Sequence, residues 1–188
     1  MSLFGADVPP GFQYRDGFLT ESEEAELVAH VDRIAFAAFE MRGVVARRRV
    51  AFYGASYDRG DGPSPPIPAF LFPVRARLAQ WAGVAPEAFA MALINEYSTG
   101  APIGWHRDAP QYDITAGVSL RSSCRMRFRR YLSPKEAATN TARRNATHEI
   151  TLERRSGYLM TGESRSGYEH SIPAVSDLRY SITFRTLR

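Results

Sequence analysis

The stretch NEYSTGAPIGWHRD, residues 95–108, ends in a His-x-Asp pair on a segment whose composition reads as extended backbone. In a strand, successive side chains alternate faces, so His106 and Asp108 would point the same way, as two ligands of one metal ion must. A lone His-x-Asp pair is weak evidence for a metal, because such a pair is more often a surface pair hydrogen-bonded near a turn. The C-terminal end of the chain decides between the two readings. There His170 lies in YEHSIP and is followed by RYSITFR, residues 179–185, which adds a second histidine and two arginines on one strand. Two histidines and one carboxylate leave three positions open on a non-haem Fe(II) ion.

Taken in order, Asn95-x-Tyr97, Gly100, His106-x-Asp108, His170 and Arg179-x-Ser-x-Thr-Phe-Arg185 resemble the AlkB-type Fe(II)/2-oxoglutarate dioxygenases, over a match running from about Arg47 to the C-terminus. The ordered spacing is far more specific than any one piece. The resemblance implies Fe(II), 2-oxoglutarate as cosubstrate and O2, with His106, Asp108 and His170 as catalytic metal ligands. His148 competes for the third ligand position. The resemblance favours His170, which stands close upstream of the arginine strand, whereas His148 falls where the family has a framework strand.

In the last strand, period 2 puts Arg179, Ser181, Thr183 and Arg185 on one face and Tyr180, Ile182 and Phe184 on the other. The two arginines are about 20 Å apart along the strand, farther than a five-carbon diacid extends, so their side chains must converge. The resemblance implies that Arg179 pairs with the distal carboxylate of 2-oxoglutarate, that Arg185 lies near the carboxylate at the iron end, and that Asn95 and Tyr97 add hydrogen bonds. Ser181 shares their face.

With 188 residues, 44% hydrophobic and 23% charged, the chain suits one globular domain with a sizeable core. No apolar run approaches a membrane span and no signal-peptide pattern opens the sequence, so a cytoplasmic monomer with no membrane partner is expected. The single cysteine, Cys124, cannot form an internal disulfide and sits in an alternating pattern that suits a small buried residue. A net charge of +4, nearly all arginine with Lys135 the only lysine, permits a polyanionic partner.

Along the chain, residues 12–19 read as an opening strand or irregular lead-in. Thr20 and Glu23 form a capping-box pattern, and apolar residues at helical spacing predict a helix over about 21–39, with His30 on its surface. Residues 41–62 carry Arg47, Arg48 and Arg49 beside Phe52 and Tyr53. On composition this is a strand with a solvated basic edge; the resemblance makes it a substrate-recognition lid over Arg47 to Tyr57, with the arginines on phosphates and an aromatic near the target base. A second helix, apolar at Phe70, Leu71, Val74, Leu78 and Trp81, should stop at Gly83.

From Phe89 onward, seven strand-like segments separated by turns predict a sandwich or barrel. A metal inside such a fold points to a double-stranded β-helix, or jelly roll. The expected architecture is α+β: residues 1–88 give helical support and the lid, and residues 89–188 the jelly-roll core. Residues 133–147 show no periodicity and read as a loop without fixed structure.

The implied chemistry is oxidation of a C–H bond coupled to decarboxylation of 2-oxoglutarate. On an N-alkyl group the hydroxylated product collapses to an aldehyde and the free amine, a net demethylation. The expected partner is alkylated DNA or RNA, single-stranded or with its base flipped. Two departures fall on the substrate side. Pro110 stands where many AlkB-type repair enzymes carry an acidic residue, and Ser119-Leu-Arg121 replaces Ser-Leu-Gly. A protein side chain or small molecule as substrate, or a non-catalytic nucleic-acid binder, are the alternatives.

Overall fold

The computed structural model describes residues 8–41, 44–55, 64–139 and 146–188. Eleven strands are described: β1 Phe12–Arg15, β2 Ala37–Met41, β3 Val44–Gly54, β4 Phe89–Tyr97, β5 Ile103–His106, β6 Tyr112–Leu120, β7 Cys124–Arg130, β8 Thr147–Leu152, β9 Gly157–Met160, β10 Tyr168–Ile172 and β11 Arg179–Leu187. All pair antiparallel into two sheets, one in the order β1-β9-β6-β11-β4-β3-β2 and one in the order β5-β10-β7-β8. This is the jelly-roll arrangement expected from the strand series together with a metal site inside it.

Helix α1, Glu21–Val31, starts on the capping box: Thr20 Oγ1 accepts from the Glu23 amide at 3.2 Å and the Glu23 carboxylate accepts from the Thr20 amide at 2.7 Å. Helix α2, Phe72–Ala82, ends on Gly83 in the left-handed region at φ 71°, the conformation glycine reaches without a Cβ clash. Leu27, Val31, Val74 and Leu78 of these helices bury against Ile94, Val118, Ile182 and Phe184 on one face of the large sheet. Burying each such side chain contributes about 1.5–3 kcal/mol. His30 stacks on Phe70 with ring centroids 4.6 Å apart, an outer position with no link to the metal residues.

A second apolar cluster, including Cys124, Phe128, Leu152, Tyr158 and Ile172, fills the space between the sheets. Burial pushes the Cys124 thiol pKa up, which suits its reading as a packing residue. Among the described residues no helix is long and apolar enough to cross a membrane.

Four expectations change. Helix α1 stops at Val31 and residues 37–41 are strand β2, because Phe39 is needed against Val50 and Leu93 on the other side of the sheet. The segment expected as a lid is, over residues 44–54, an internal strand paired to both β2 and β4; residues 56 and 57 of that expectation lie outside the described residues. The first 88 residues are therefore as much sheet as helical support. Finally, Pro134–Thr139 forms a short helix, α3, within the stretch expected as loop, its first turn closed by Ser133 and Glu136 hydrogen-bonding each other's backbone amide or hydroxyl.

Candidate metal and cosubstrate centre

Between the sheets lies a cavity of about 300 Å³. His106, at the end of β5, stands opposite His170 of β10 in register, with ring centroids 4.2 Å apart. One ligand atom from each of His106, Asp108 and His170 falls within 4.8 Å of the others, the spacing of a single-ion site. His148 sits on β8, separated from His170 by β7, with its ring near Tyr168.

Asp108 reaches the site differently from the sequence expectation. Strand β5 ends at His106, so Asp108 is carried on the following loop and period 2 does not aim it. Its carboxylate is aimed instead by Arg185, whose Nε donates to Oδ2 at 2.8 Å and Nη2 to Oδ1 at 3.2 Å, and by Thr115 Oγ1, which donates to Oδ2 at 2.9 Å. Arg185 is thus engaged with the Asp108 carboxylate, and its Nη1 donates to Thr183 Oγ1 at 3.3 Å.

The electrostatics prepare all three groups for a cation. Burial alone would raise the Asp108 pKa, but Arg185, its hydrogen bonds and both histidines outweigh that and hold it well below the usual range, so the carboxylate is charged. Burial, then the neighbouring His106, push His170 down to about 3. Burial lowers His106 too, against the opposing pull of Asp108 and the Gly104 carbonyl. Both rings are therefore neutral at pH 7. His106 Nδ1 lies 2.8 Å from the Gly104 carbonyl, which fixes the proton on Nδ1 and leaves the Nε2 lone pair facing Asp108, 4.0 Å away.

The polar face of β11 lines the same cavity. Arg179 is 1% exposed; its Nε donates to Ser119 Oγ at 3.0 Å, and its Nη1 has no partner among the described residues. A buried guanidinium nitrogen without an acceptor is costly, and an anion satisfies it. Asn95, Tyr97 and Ser181 surround it, with Asn95 Nδ2 donating to Ser181 Oγ at 3.4 Å. Burial raises the pKa of Tyr97 and of Tyr158, so both phenols stay protonated and can donate. Tyr158 lies flat across Gly117, where a Cβ would come within 2.6 Å of its ring, so only glycine fits there.

The basic, aromatic strand β3 divides between its two faces. Arg48 and Phe52 enter the cavity, Arg48 donating from Nε to Asn95 Oδ1 at 3.2 Å with its guanidinium 4.2 Å over the Phe39 ring. Arg49 points away and pairs with Glu96 at 2.7 Å; Tyr53 packs toward the helices; Arg47 is exposed and lies across Gly100. The three arginines are therefore not a joint phosphate clamp.

Two residues escaped the sequence reading. Arg165, 3% exposed in the short helix α4, Gly162–Ser166, donates from Nη2 to the carbonyls of Ala109 and Tyr112, at 2.5 and 3.0 Å, and so pins the loop that follows Asp108. Arg107, between the two ligands, donates to the Ser166 carbonyl at 3.3 Å and stacks on Tyr131 at 3.5 Å. Nothing local in GESRSG marks these bonds, which span 56 and 59 positions. The two departures also resolve. Arg121 is not at the cavity: it occupies a left-handed turn at φ 69° and reaches Asp32 of the α1 terminus through Nη2 at 2.7 and 2.9 Å. Pro110 is exposed on the turn beside Ala109.

Comparison with known proteins agrees with this geometry. The sequence profile of the 2OG-Fe(II) oxygenase superfamily matches residues 11–185. A curated relative, the "Alkylated DNA repair protein ALKBH8 homolog" of Arabidopsis thaliana, is 29% identical over 182 residues, covering 87% of this chain; the chain spans about half, 51%, of that relative. Among solved structures, OsALKBH1 superposes with a TM-score of 0.70 at 15% identity, covering 95% of this chain and 99% of that one. A Pseudomonas putida prolyl-4-hydroxylase gives 0.64 at 13%, covering 95% and 93%. The chain, a jelly roll that gathers two histidines, a carboxylate and a buried arginine in one cavity, belongs to the 2OG-Fe(II) oxygenase superfamily.

Proposed function

We propose that the protein oxidatively dealkylates N-alkylated nucleobases in DNA or RNA. The observation that carries this reading is the second wall of the cavity: beyond the polar face of β11, Phe39 and Phe52 from β2 and β3, with Leu93 and Tyr112, make an apolar wall in which the Arg48 guanidinium lies 4.2 Å over the Phe39 ring, a mixture of aromatic and cationic groups that suits a nucleobase. The relative named for alkylated DNA repair supports the same substrate class.

In this reading His106, Asp108 and His170 hold Fe(II), and 2-oxoglutarate is anchored by Arg179 through its distal carboxylate with Tyr97 alongside. Bound there, the metal and cosubstrate supply oxidation by O2, giving succinate, CO2 and a hydroxylated C–H bond. The remaining work belongs to the protein. Arg185 and Thr115 keep the Asp108 carboxylate charged and oriented. Gly104 keeps the His106 lone pair directed inward. Tyr158, Met126 and Leu152 wall the centre off from water. An N–CH2OH product then breaks its C–N bond without further catalysis, releasing formaldehyde and returning the proton to nitrogen.

The test is competition among single-stranded N-methylated oligonucleotides, N-methylated peptides and free nucleosides, with formaldehyde and succinate as readouts. Formaldehyde released from oligonucleotides in step with succinate is expected. Coupled release from peptides or free nucleosides alone would replace this reading with that of a protein or small-molecule oxygenase.

A further inference from the structure

Arg107 stands in the chain between His106 and Asp108, yet its side chain is exposed and lines the mouth of the cavity. The guanidinium is held in place there. Its Nη1 donates to the Ser166 carbonyl at the end of α4 at 3.3 Å, and its central carbon lies 3.5 Å from the centre of the Tyr131 ring. Tyr131 follows β7, and its amide donates to the Gly167 carbonyl at 2.9 Å, so the ring and the Ser166 carbonyl are anchored at the same corner of the fold. The Tyr131 ring itself stays 38% exposed. Arg129, two positions earlier, gives the contrast: it lies 4.5 Å over the Trp105 ring, but its charge is taken up by Glu169 at 2.7 Å.

A base that reaches the metal residues from solvent leaves its sugar and its phosphates at the mouth. Arg107 joins these two places, since its backbone adjoins both ligands and its guanidinium is at the rim. The Ser166 bond takes one guanidinium N–H, and a guanidinium stacked on a ring keeps its N–H groups in its own plane, where an anionic oxygen can meet two of them side by side. Such a contact fixes the register of a strand without reading its sequence. Stacking on Tyr131 fixes the guanidinium beforehand, so less freedom is lost when the contact forms.

Resting on the nucleobase reading above, we infer that Arg107 binds the phosphate adjoining the target nucleotide and that Tyr131 is the positioning residue that holds its guanidinium for this contact. The base is thereby set in depth relative to the metal residues by the amino acid that separates two of them.

The experiment uses single-stranded DNA and RNA oligonucleotides of one sequence, each carrying 1-methyladenine, 3-methylcytosine or 1-methylguanine. Binding is measured by fluorescence anisotropy over a range of salt, with Mn(II) in place of iron and 2-oxoglutarate present. Arg107→Gln should weaken binding by about tenfold at low salt and lower the magnitude of the salt slope by about 0.7, one phosphate contact on a single strand. Arg107→Lys should restore the slope, and Arg129→Gln should keep it. Tyr131→Leu should weaken binding several-fold in wild type and cost nothing further in the Arg107→Gln background, the mark of two residues acting through one contact. Calorimetric Mn(II) affinity should match wild type in every variant. An unchanged slope in Arg107→Gln, an equal loss of slope in Arg129→Gln, or weaker binding explained by lost Mn(II) affinity overturns the Arg107 contact and leaves the nucleobase reading standing. Additive losses in the double variant overturn the role of Tyr131. Failure of wild type to bind or demethylate any of the oligonucleotides overturns both the contact and the nucleobase reading.

Discussion

Arg179 carries the largest single-residue consequence. Its buried guanidinium has one nitrogen without a partner among the described residues, and in the proposed reading the cosubstrate carboxylate is the acceptor for it. Losing one side of such a charged contact costs about 2–5 kcal/mol. Arg179→Ala should raise the Michaelis constant for 2-oxoglutarate accordingly, with most of kcat recovered at saturation; an unchanged constant in a steady-state assay would dismiss the role. His170 gives a second prediction, in the metal-free protein. Its folded pKa is depressed to about 3 from an ordinary 6.5 by burial and by His106, so below that ordinary value the unfolded chain binds the proton and the folded one does not. Stability is therefore complete above about pH 6.5 and falls as pH drops toward about 3. Thermal melts in chelator across this range should show the decline in wild type and a shallower one in His170→Asn. Equal slopes would mean that His170 is not buried as a neutral ring.

At the scale of elements, the loop after Asp108 has no regular structure of its own and is held by Arg165 of α4, while Arg107, just before Asp108, donates to the Ser166 carbonyl of the same helix. Replacing Arg165 with Met keeps the buried volume but frees the Ala109 and Tyr112 carbonyls. Metal affinity should fall at least several-fold, with the 2-oxoglutarate Michaelis constant little changed at saturating metal; calorimetric titration with Mn(II) checks the first part, and an unaltered affinity would show the clamp to be dispensable. The turn at Arg121 offers an opposite case. The left-handed conformation of a non-glycine residue costs about 1–2 kcal/mol, while its half-exposed pair with Asp32 returns about 0–1 kcal/mol. Arg121→Gly should thus change stability little or raise it slightly in a denaturant melt, and a large loss would show that the pair with Asp32 and the Arg121 guanidinium 5.3 Å over the Tyr180 ring matter more than this. Elements were legible where local pattern and tertiary demand agreed. Strand β11 alternates polar and apolar because its two faces meet a charged cavity and a helix layer. Strand β3 hid its alternation because Arg48 faces inward between two outward arginines. The end of α1 was masked by alanines that keep helical spacing into β2, and the capping box at Ser133 and Glu136 was present but not read.

For the whole molecule, the jelly roll brings together residues that the sequence holds far apart, which is why the ligand triad was visible in the chain and its supports were not. His106-x-Asp108 and the β11 arginines sit in short patterns of fixed spacing. The clamp of Arg185 on Asp108 spans 77 positions, and Glu24, buried in α1, accepts from the Arg121 amide 97 positions away. Such contacts follow from the sheet order and have no local signature. The central claim is that this fold assembles one iron site from His106, Asp108 and His170. Anaerobic calorimetric titration of Fe(II) into wild type, His148→Ala and His170→Ala tests it most directly. The account predicts one ion per chain for wild type and for His148→Ala, and loss of binding in His170→Ala; retention in His170→Ala with loss in His148→Ala would contradict it.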